Sequence, residues 1–424
     1  MESTNRRTGA GEITRKRLQQ VALDLFWEKG YQSTTTRDVA ASLGVQQASL
    51  YYHMKNKEQL LHGICYSSLL QVIENVEAAA GHAADPREAI REMMRAHLAT
   101  ALEYQKEFSV ALMECRELGP DYRAEIEALW SRYFMFGYEV LDSAKAKGLI
   151  RSDLSNKYLF TPMLCTLNWA LLWFRGGQGL TVPELDALFQ TIFFEGAATP
   201  DYQRSHSSHT ACRDLQLLAD PIAASSGFAV NETYARMLDT ACTLFARKGY
   251  FATSIREIAD AMGIQKASLY YYISSKEDLI YQISKSAMEH LSANVQAALA
   301  QVSGAEHRLY AFILSHVASL LQHQNWHAAA NEELTHSFSP ARKREIVAMR
   351  DAYEAMARGI LADAQAAGLL RSDISPKFLS LILFGMITNI YPWYQPGVDI
   401  PATDLAFTLA DLYLAGIVSS RSAS

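Results

Sequence analysis

Cysteine is scarce and scattered in this chain: Cys65, Cys115, Cys165, Cys212 and Cys242 lie far apart, with no CxxC pair. That excludes a disulfide framework or zinc ribbon readable from sequence and suits a reducing cytoplasm. With 11 prolines and 22 glycines among 424 residues, collagen-like and low-complexity classes are excluded as well. The opening MESTNRRTGAGEITRKR has no apolar h-region, so no secretory signal is expected. No GxSxG, HExxH, P-loop or GxGxxG occurs, and no carboxylate is singled out for acid–base work. Neither catalysis nor a cofactor is therefore expected. Sustained period-two alternation and NG or DG hairpin turns are missing too. Uncharged apolar runs are few. Tyr158–Phe174 falls short of the ~20 residues a membrane span needs, and Phe378–Val398 carries Asn389, Pro392 and Pro396 near its end. Both read as buried helices, and the chain is expected to be soluble and cytoplasmic, with no membrane partner.

What is present is a duplication. Apolar residues make up 49% and charged residues 20%, enough to bury cores in the two or three domains this length suits. Phe26–Leu60 reads FWEKGYQSTTTRDVAASLGVQQASLYYHMKNKEQL, and Phe245–Leu279 reads FARKGYFATSIREIADAMGIQKASLYYYISSKEDL. Seventeen of these 35 aligned positions are identical, at a shift of 219 residues. GLIRSD at Gly148–Asp153 returns as GLLRSD at Gly368–Asp373, and Trp173 and Gly177 match Trp393 and Gly397, at a shift of 220. One unit of roughly 200 residues occurs twice. Between the copies, Thr199–Asn231 is rich in Ser, Ala, His and Pro and reads as a linker, with a short helix conceivable at Cys212–Leu218.

Each copy is patterned as helix throughout. Leu18, Val21, Ala22, Leu25 and Phe26 form an apolar stripe that Gly30 ends. Thr35 with Asp38, and Ser254 with Glu257, are capping boxes for a second helix, which stops at Gly44 or Gly263. A third short helix then runs to about Lys55 or Ser274, and Asn56 and Ser275 suit N-caps of a fourth. The fold class expected is all-α.

A helix, a glycine turn and a short helix with polar residues at its start make a helix-turn-helix arrangement. Over GVQQASLYYHMKNK (Gly44–Lys57) and GIQKASLYYYISSK (Gly263–Lys276) the sequence resembles the tetracycline-repressor (TetR) family of bacterial regulators, twice. The resemblance implies two duplex-DNA-binding heads. Gln47 and Ser49 are short enough to place an amide and a hydroxyl on base edges, Lys266 and Ser268 stand at the matching positions of copy two, and Ala48 and Ala267 let the helix approach the groove. Thr36, Arg37 and Arg256 suit phosphate or outer base contacts, and Tyr51, Tyr52, Tyr270 and Tyr271 present phenols to backbone or base. Lys57 and Lys276 sit in a helix's first turn, against its dipole, a conflict that a DNA phosphate at that position would resolve. By the resemblance these lysines, with His53 and Tyr272, are backbone contacts. The bland alternative is a solvated face on a small bundle. The heads differ: residues 1–60 carry nine basic and six acidic side chains, residues 231–280 six of each.

The resemblance also assigns segments: heads at 1–61 and 231–280, helical regulatory and dimerisation domains at 62–198 and 281–418, and a linker at 199–230. Met94, His97, Phe108, Met113, Tyr133 and Trp169 are candidate pocket residues in copy one, and Phe312, His316, Trp326, Tyr353, Phe384 and Trp393 in copy two. Ordinary core packing is the alternative for each. The endings NWALLW…GGQGL and TNIYPWYQPGVDI resemble family members that sense acyl-thioesters or steroid-like acids. The partners implied are an operator and a small apolar or acyl-thioester-like effector, with copy one paired to copy two as a pseudo-dimer inside one chain. The function implied is ligand-responsive regulation, repression foremost, on an imperfect palindrome. The alternatives are a regulator with only head one fully competent, or an enzyme carrying such heads. His206, His209 and Cys212 have a metal-like spacing but lie in the linker without a fourth ligand, and His323 and His327 share a helix face near Glu332. No metal is expected at either.

Overall fold

The computed structural model describes residues 15–175, 180–205, 232–250, 253–333, 338–390 and 392–418. Most of the linker, with the helix considered at Cys212–Leu218 and the His206, His209 and Cys212 group, lies outside these residues, as do Arg6, Arg7 and Gly177.

Nineteen α-helices are described, and among these residues the only extended pairing is two isolated bridges. Copy one runs α1 (Arg15–Lys29), α2 (Thr36–Leu43), α3 (Gln47–Leu50), α4 (Lys57–Gly81), α5 (Pro86–Glu103), α6 (Gln105–Glu114), α7 (Pro120–Ala146), α8 (Asn156–Trp173) and α9 (Val182–Glu195). A short α10 (Pro200–Ser205) follows, so the segment read as linker begins as helix. Tyr202 on it donates its hydroxyl to Glu306 at 2.6 Å. Copy two repeats the order in α11 (Glu232–Lys248), α12 (Ile255–Met262), α13 (Lys266–Leu269), α14 (Lys276–Leu299), α15 (Ala305–Gln322), α16 (Gln324–Glu333), α17 (Pro340–Ala366), α18 (Pro376–Thr388) and α19 (Ala402–Ala415).

Local chemistry sets the head helices as the sequence predicts. Thr35 accepts from the Asp38 amide at 3.1 Å while the Asp38 carboxylate accepts from the Thr35 amide at 2.8 Å, and Ser254 and Glu257 repeat this at 3.2 and 2.8 Å. Each such cap contributes about 1 kcal/mol. Gly44 and Gly263 close these helices at φ of +71° and +69°, the left-handed conformation that glycine adopts without strain. The third helices are single turns, ending at Leu50 and Leu269 rather than at Lys55 and Ser274. Leu50 and Leu269, fully buried, pin them to the heads.

The chain divides into two compact units, one of residues 1–79 and 99–136, the other of 80–98 and 137–424. In the first, the head's α1 is tied to α6 by Lys106, whose ammonium lies 2.6 Å from Asp24. In the second, copy one's late helices group with copy two because they pack on its helices. A Cβ on Gly385 of α18 would lie 2.8 Å from the Thr166 Cα of α8, so these two backbones cross in close approach.

Backbone bonding there is reciprocal. Ala197 N–H donates to Tyr413 O (2.8 Å) and Ile417 N–H to Phe193 O (3.0 Å). Arg151 N–H donates to Ile417 O (2.8 Å) and Arg371 N–H to Ala197 O (2.9 Å). Each bond maps onto its mate by the 220-residue shift, the self-complementary pattern of a two-fold contact. Arg151 also pairs with Asp411, and Lys157 with Asp399.

Candidate nucleic-acid interface

Each third helix is held from beneath by leucine and leaves its polar face in solvent. Gln47, Ala48, Tyr51, Tyr52 and His53 are exposed in the first head, as are Lys266, Ala267, Ser268, Tyr270 and Tyr271 in the second, while Ser49 is half-buried. Tyr52 and Tyr271, 90% and 85% exposed, are the extreme cases. Tyr271 meets only the edge of Tyr272, centroids 5.2 Å apart, and an aromatic ring so exposed gains little from the fold. Arg37 and Arg256 are exposed on the second helices, Arg256 in only a loose pairing with Asp260 at 3.9 Å.

The heads differ where the sequences do. Gln47 donates its amide to the Thr36 hydroxyl at 2.8 Å, which orients it at the start of α3. The Thr36 position in head two is Ile255, which is buried, so Lys266 has no such partner and its ammonium lies 5.7 Å from the Tyr270 ring centroid. His53 is exposed, whereas Tyr272 is half-buried against Tyr234 of α11, ring centroids 6.1 Å apart.

Lys57 and Lys276 behave otherwise than their helix positions suggest. The Lys57 ammonium donates to Tyr31 O (2.7 Å) and Thr34 O (2.8 Å) and sits 4.0 Å from the Tyr31 ring centroid. Lys276 repeats this on Tyr250 O (3.0 Å), Thr253 O (3.1 Å) and the Tyr250 ring at 4.2 Å. The dipole conflict that pointed to a phosphate is met inside each head by two carbonyls and a π-face, which strap the fourth helix to the loop after the first. Burial pulls the Lys57 ammonium below its ordinary range, opposed by Glu114 and Glu117. Burial, with Glu58, Glu117 and Glu114, pushes the Tyr31 phenol up to about 12.

The predicted pocket residues sort into several places. Phe312, His316, Tyr353 and Phe384 form one aromatic cluster, every pair 5.8–6.2 Å between centroids. His316 Nδ1 bonds the Tyr353 hydroxyl at 2.8 Å, and its buried Nε2 has no partner. Trp326 is not among them: it closes the core of the second head, its indole donating to Asp239 of α11 at 2.7 Å. Trp393 lies apart as well, over Lys157 at 5.7 Å and beside Tyr158. In copy one His97 is buried, bonded through Nε2 to Asn168 at 2.9 Å, and burial pulls it down to about 4. Met94 and Tyr133 are buried, Met113 and Trp169 half-buried. Phe108 lines a cavity of about 10 Å³ with Cys65, Leu69, Ala111, Leu112, Ile126 and Trp130, barely the room of one water. Among the described residues no group of His, Cys, Asp or Glu is arranged to hold a metal, and no helix is long and apolar enough to cross a membrane.

The Asp239–Trp326 link escaped the sequence reading because a tryptophan that seals a head and one that lines a pocket have the same periodicity. A signal was available: Trp326 falls at the Glu107 position of copy one, so it belongs to no shared pocket pattern.

Comparison with known proteins agrees with the duplicated architecture. The family model described as bacterial regulatory proteins, tetR family, matches residues 19–64 and 237–283. A second, tetracyclin repressor-like C-terminal domain, matches 83–197 and 303–417. The HTH-type transcriptional repressor KstR2 of Rhodococcus jostii (strain RHA1) is 26% identical over 183 residues, 43% of this chain and 90% of that protein. Among solved structures, the TetR family transcriptional regulator PfmR from Thermus thermophilus is 30% identical, with a TM-score of 0.39, covering 42% of this chain and 96% of its own. AibR in complex with isovaleryl coenzyme A and operator DNA is 28% identical, with a TM-score of 0.40, over 42% and 96%.

Proposed function

The chain belongs to the tetR family of bacterial regulatory proteins, with both of that family's domains present twice in tandem, and from that premise we propose that it is a ligand-responsive, non-enzymatic transcriptional repressor that reads an imperfect palindromic operator. Its two heads would take the two half-sites, and copy one would pair with copy two as identical chains pair in a dimer. A small apolar effector would release the DNA. The observation that carries the reading is the duplicated recognition turn, with Tyr51, Tyr52, Tyr270 and Tyr271 exposed on short helices anchored by Leu50 and Leu269. The internal pairing is supported by the reciprocal bonds around Ala197 and Ile417.

The test is binding of the purified chain to DNA flanking its own gene. One 47.3 kDa chain should protect two half-sites about one helical turn apart, roughly 34–36 Å. Affinity should fall steeply with salt through release of counterions. Salt-insensitive or sequence-blind binding would end this reading, and a dimer joined copy one to copy one across chains would end the internal pairing. A second reading, in which head one alone is fully competent, is favoured by the packing of Tyr272 on Tyr234 and the buried Ile255.

A further inference from the structure

The small cavity of copy one is lined by apolar groups, and the duplication allows its counterpart in copy two to be read position by position. Cys65 becomes Ser284 and Phe108 becomes His327 at a shift of 219, and Trp130 becomes Arg350 at 220. Every one of these changes replaces an apolar or weakly polar group with a strongly polar one. Ser284 (α14), His316 (α15) and His327 (α16) are buried, and Arg350 (α17) is half-buried. His327 is close enough to feel both His316 and Arg350 electrostatically. Two atoms in this group, Ser284 Oγ and His316 Nε2, are buried without a hydrogen-bond partner. Such atoms are costly to leave buried until something bonds them. Copy one has no such debt at its histidine, because Asn168 satisfies His97 Nε2.

We propose that the second regulatory domain takes an apolar carboxylic acid, its carboxylate received by His316, His327 and Arg350 and its hydrocarbon laid against Phe312, Tyr353 and Phe384. The first domain, apolar at the matching positions, takes no such acid, so the chain holds one acid rather than two. The inference deepens the effector-controlled reading and rests on it only for the step from binding to DNA release.

The electrostatics fit an anion that arrives with a proton. Burial pulls both His316 and His327 down to about 3, so both are neutral near pH 7. The groups facing His327 are His316 from α15, His323 before α16, His290 from α14 and Arg350 from α17. Glu289 lies beside His290 and Asp239 beside His323. A carboxylate placed among these bases favours the charged imidazole, so one proton moves from solvent to a histidine on binding. Affinity then rises as pH falls.

The test is calorimetry of the full chain with decanoate, 4-phenylbutanoate and, as an uncharged control, 1-decanol. Expected are one acid per chain, proton uptake in paired buffers, and acid affinity rising up to about tenfold per pH unit between about pH 7.5 and 6. Decanol should bind at least about tenfold more weakly than decanoate. His327→Phe and Arg350→Trp, which restore copy one's residues, should each lose at least about tenfold of acid affinity, and His97→Phe should lose none. Should either variant unfold, the decanoate-to-decanol ratio and proton uptake of the unaltered chain decide. No binding of either acid at about 1 mM, equal binding of decanol, two acids per chain, or full affinity in His327→Phe overturns the site. Acid binding that leaves operator affinity unchanged keeps the site and refutes effector control. Decanol releasing DNA while no acid binds does the reverse.

Discussion

The indole N–H of Trp326 and the carboxylate of Asp239, 2.7 Å apart, join α16 of the second regulatory domain to α11 of the second head. Trp326 is itself part of that head's core, beside Met237, Phe245 and Leu269. A shift of α16 is therefore expected to reach the head. Trp326→Phe, which keeps an aromatic six-membered ring but removes the N–H donor and the rest of the indole, is expected to cost about 1–3 kcal/mol. Trp326→Ala should cost about 3–5 kcal/mol. Hydrogen exchange of the α11 amides would read both, and unchanged protection would show that the link bears no weight.

Lys57 and Lys276 give a second expectation. Replacement by Met removes two bonds to carbonyls and a cation–π contact, and should destabilise the chain by about 2 kcal/mol in each head. Thermal unfolding measures this without DNA. If the ammonium stays on its carbonyls in the complex, the slope of log K against log salt changes by much less than the ~0.9 expected for a lost phosphate contact.

The heads should also read different bases. Gln47, aimed by Thr36, favours adenine, and Lys266 favours guanine through its O6 and N7 acceptors. Gln47→Ala should relax one position by about 1–3 kcal/mol, in one half-site only. Competition between the asymmetric operator and its two symmetrised forms is the measurement, and equal affinity for all three would make the heads equivalent.

Acid should weaken the fold through its histidines. His97 is held at about 4, and His316 and His327 at about 3, against an ordinary 6.5. Between about pH 6 and 4 the unfolded chain binds protons at these sites and the folded chain does not, so stability falls as pH falls. Three such groups give a slope of up to about 4 kcal/mol per pH unit, fully recovered above the unfolded value. Urea unfolding across this range should show it, and His97→Gln should remove about a third of the slope.

The two-fold contact supplies the last expectation. A Cβ on Gly196 would lie 2.1 Å from Leu414 O, and one on Gly416 would lie 2.5 Å from Phe194 O, both at positive φ. Alanine at either glycine should cost more than about 3 kcal/mol, by comparable amounts. Calorimetric melting of the two variants checks this, and a tolerated alanine at one would break the equivalence.

The helices and heads were legible in the sequence because their signals are local and written twice: the capping pairs Thr35–Asp38 and Ser254–Glu257, the turns at Gly44 and Gly263, and the buried Leu50 and Leu269. The strapping role of Lys57 was not, because the dipole argument considers a lysine's own helix and not the Tyr31 and Thr34 carbonyls of a distant loop. Part of the grouping in copy two was legible, since four of its six candidates, Phe312, His316, Tyr353 and Phe384, do meet. Trp326 and Trp393 went elsewhere, because a large aromatic is equally at home in a pocket, a head core or a helix junction. The crossing at Ala197 and Ile417 is made by backbone atoms, and its mark in residue type is only the repeated glycine at 196 and 416, which names no partner.

The backbone bonds that Ala197 and Ile417 make with Tyr413 and Phe193 lie within one polypeptide, and that changes their order of reaction. Between separate chains such a contact dissolves on dilution; with copy one paired to copy two inside one chain, as proposed, its closure is first-order and independent of how many copies a cell holds. The two sides are also separately heritable. In a pair of identical chains every substitution at the seam strikes both sides at once, and any harm doubles. Here a change at residue 197 leaves residue 417 untouched, so the seam can vary one side at a time while the other holds it shut.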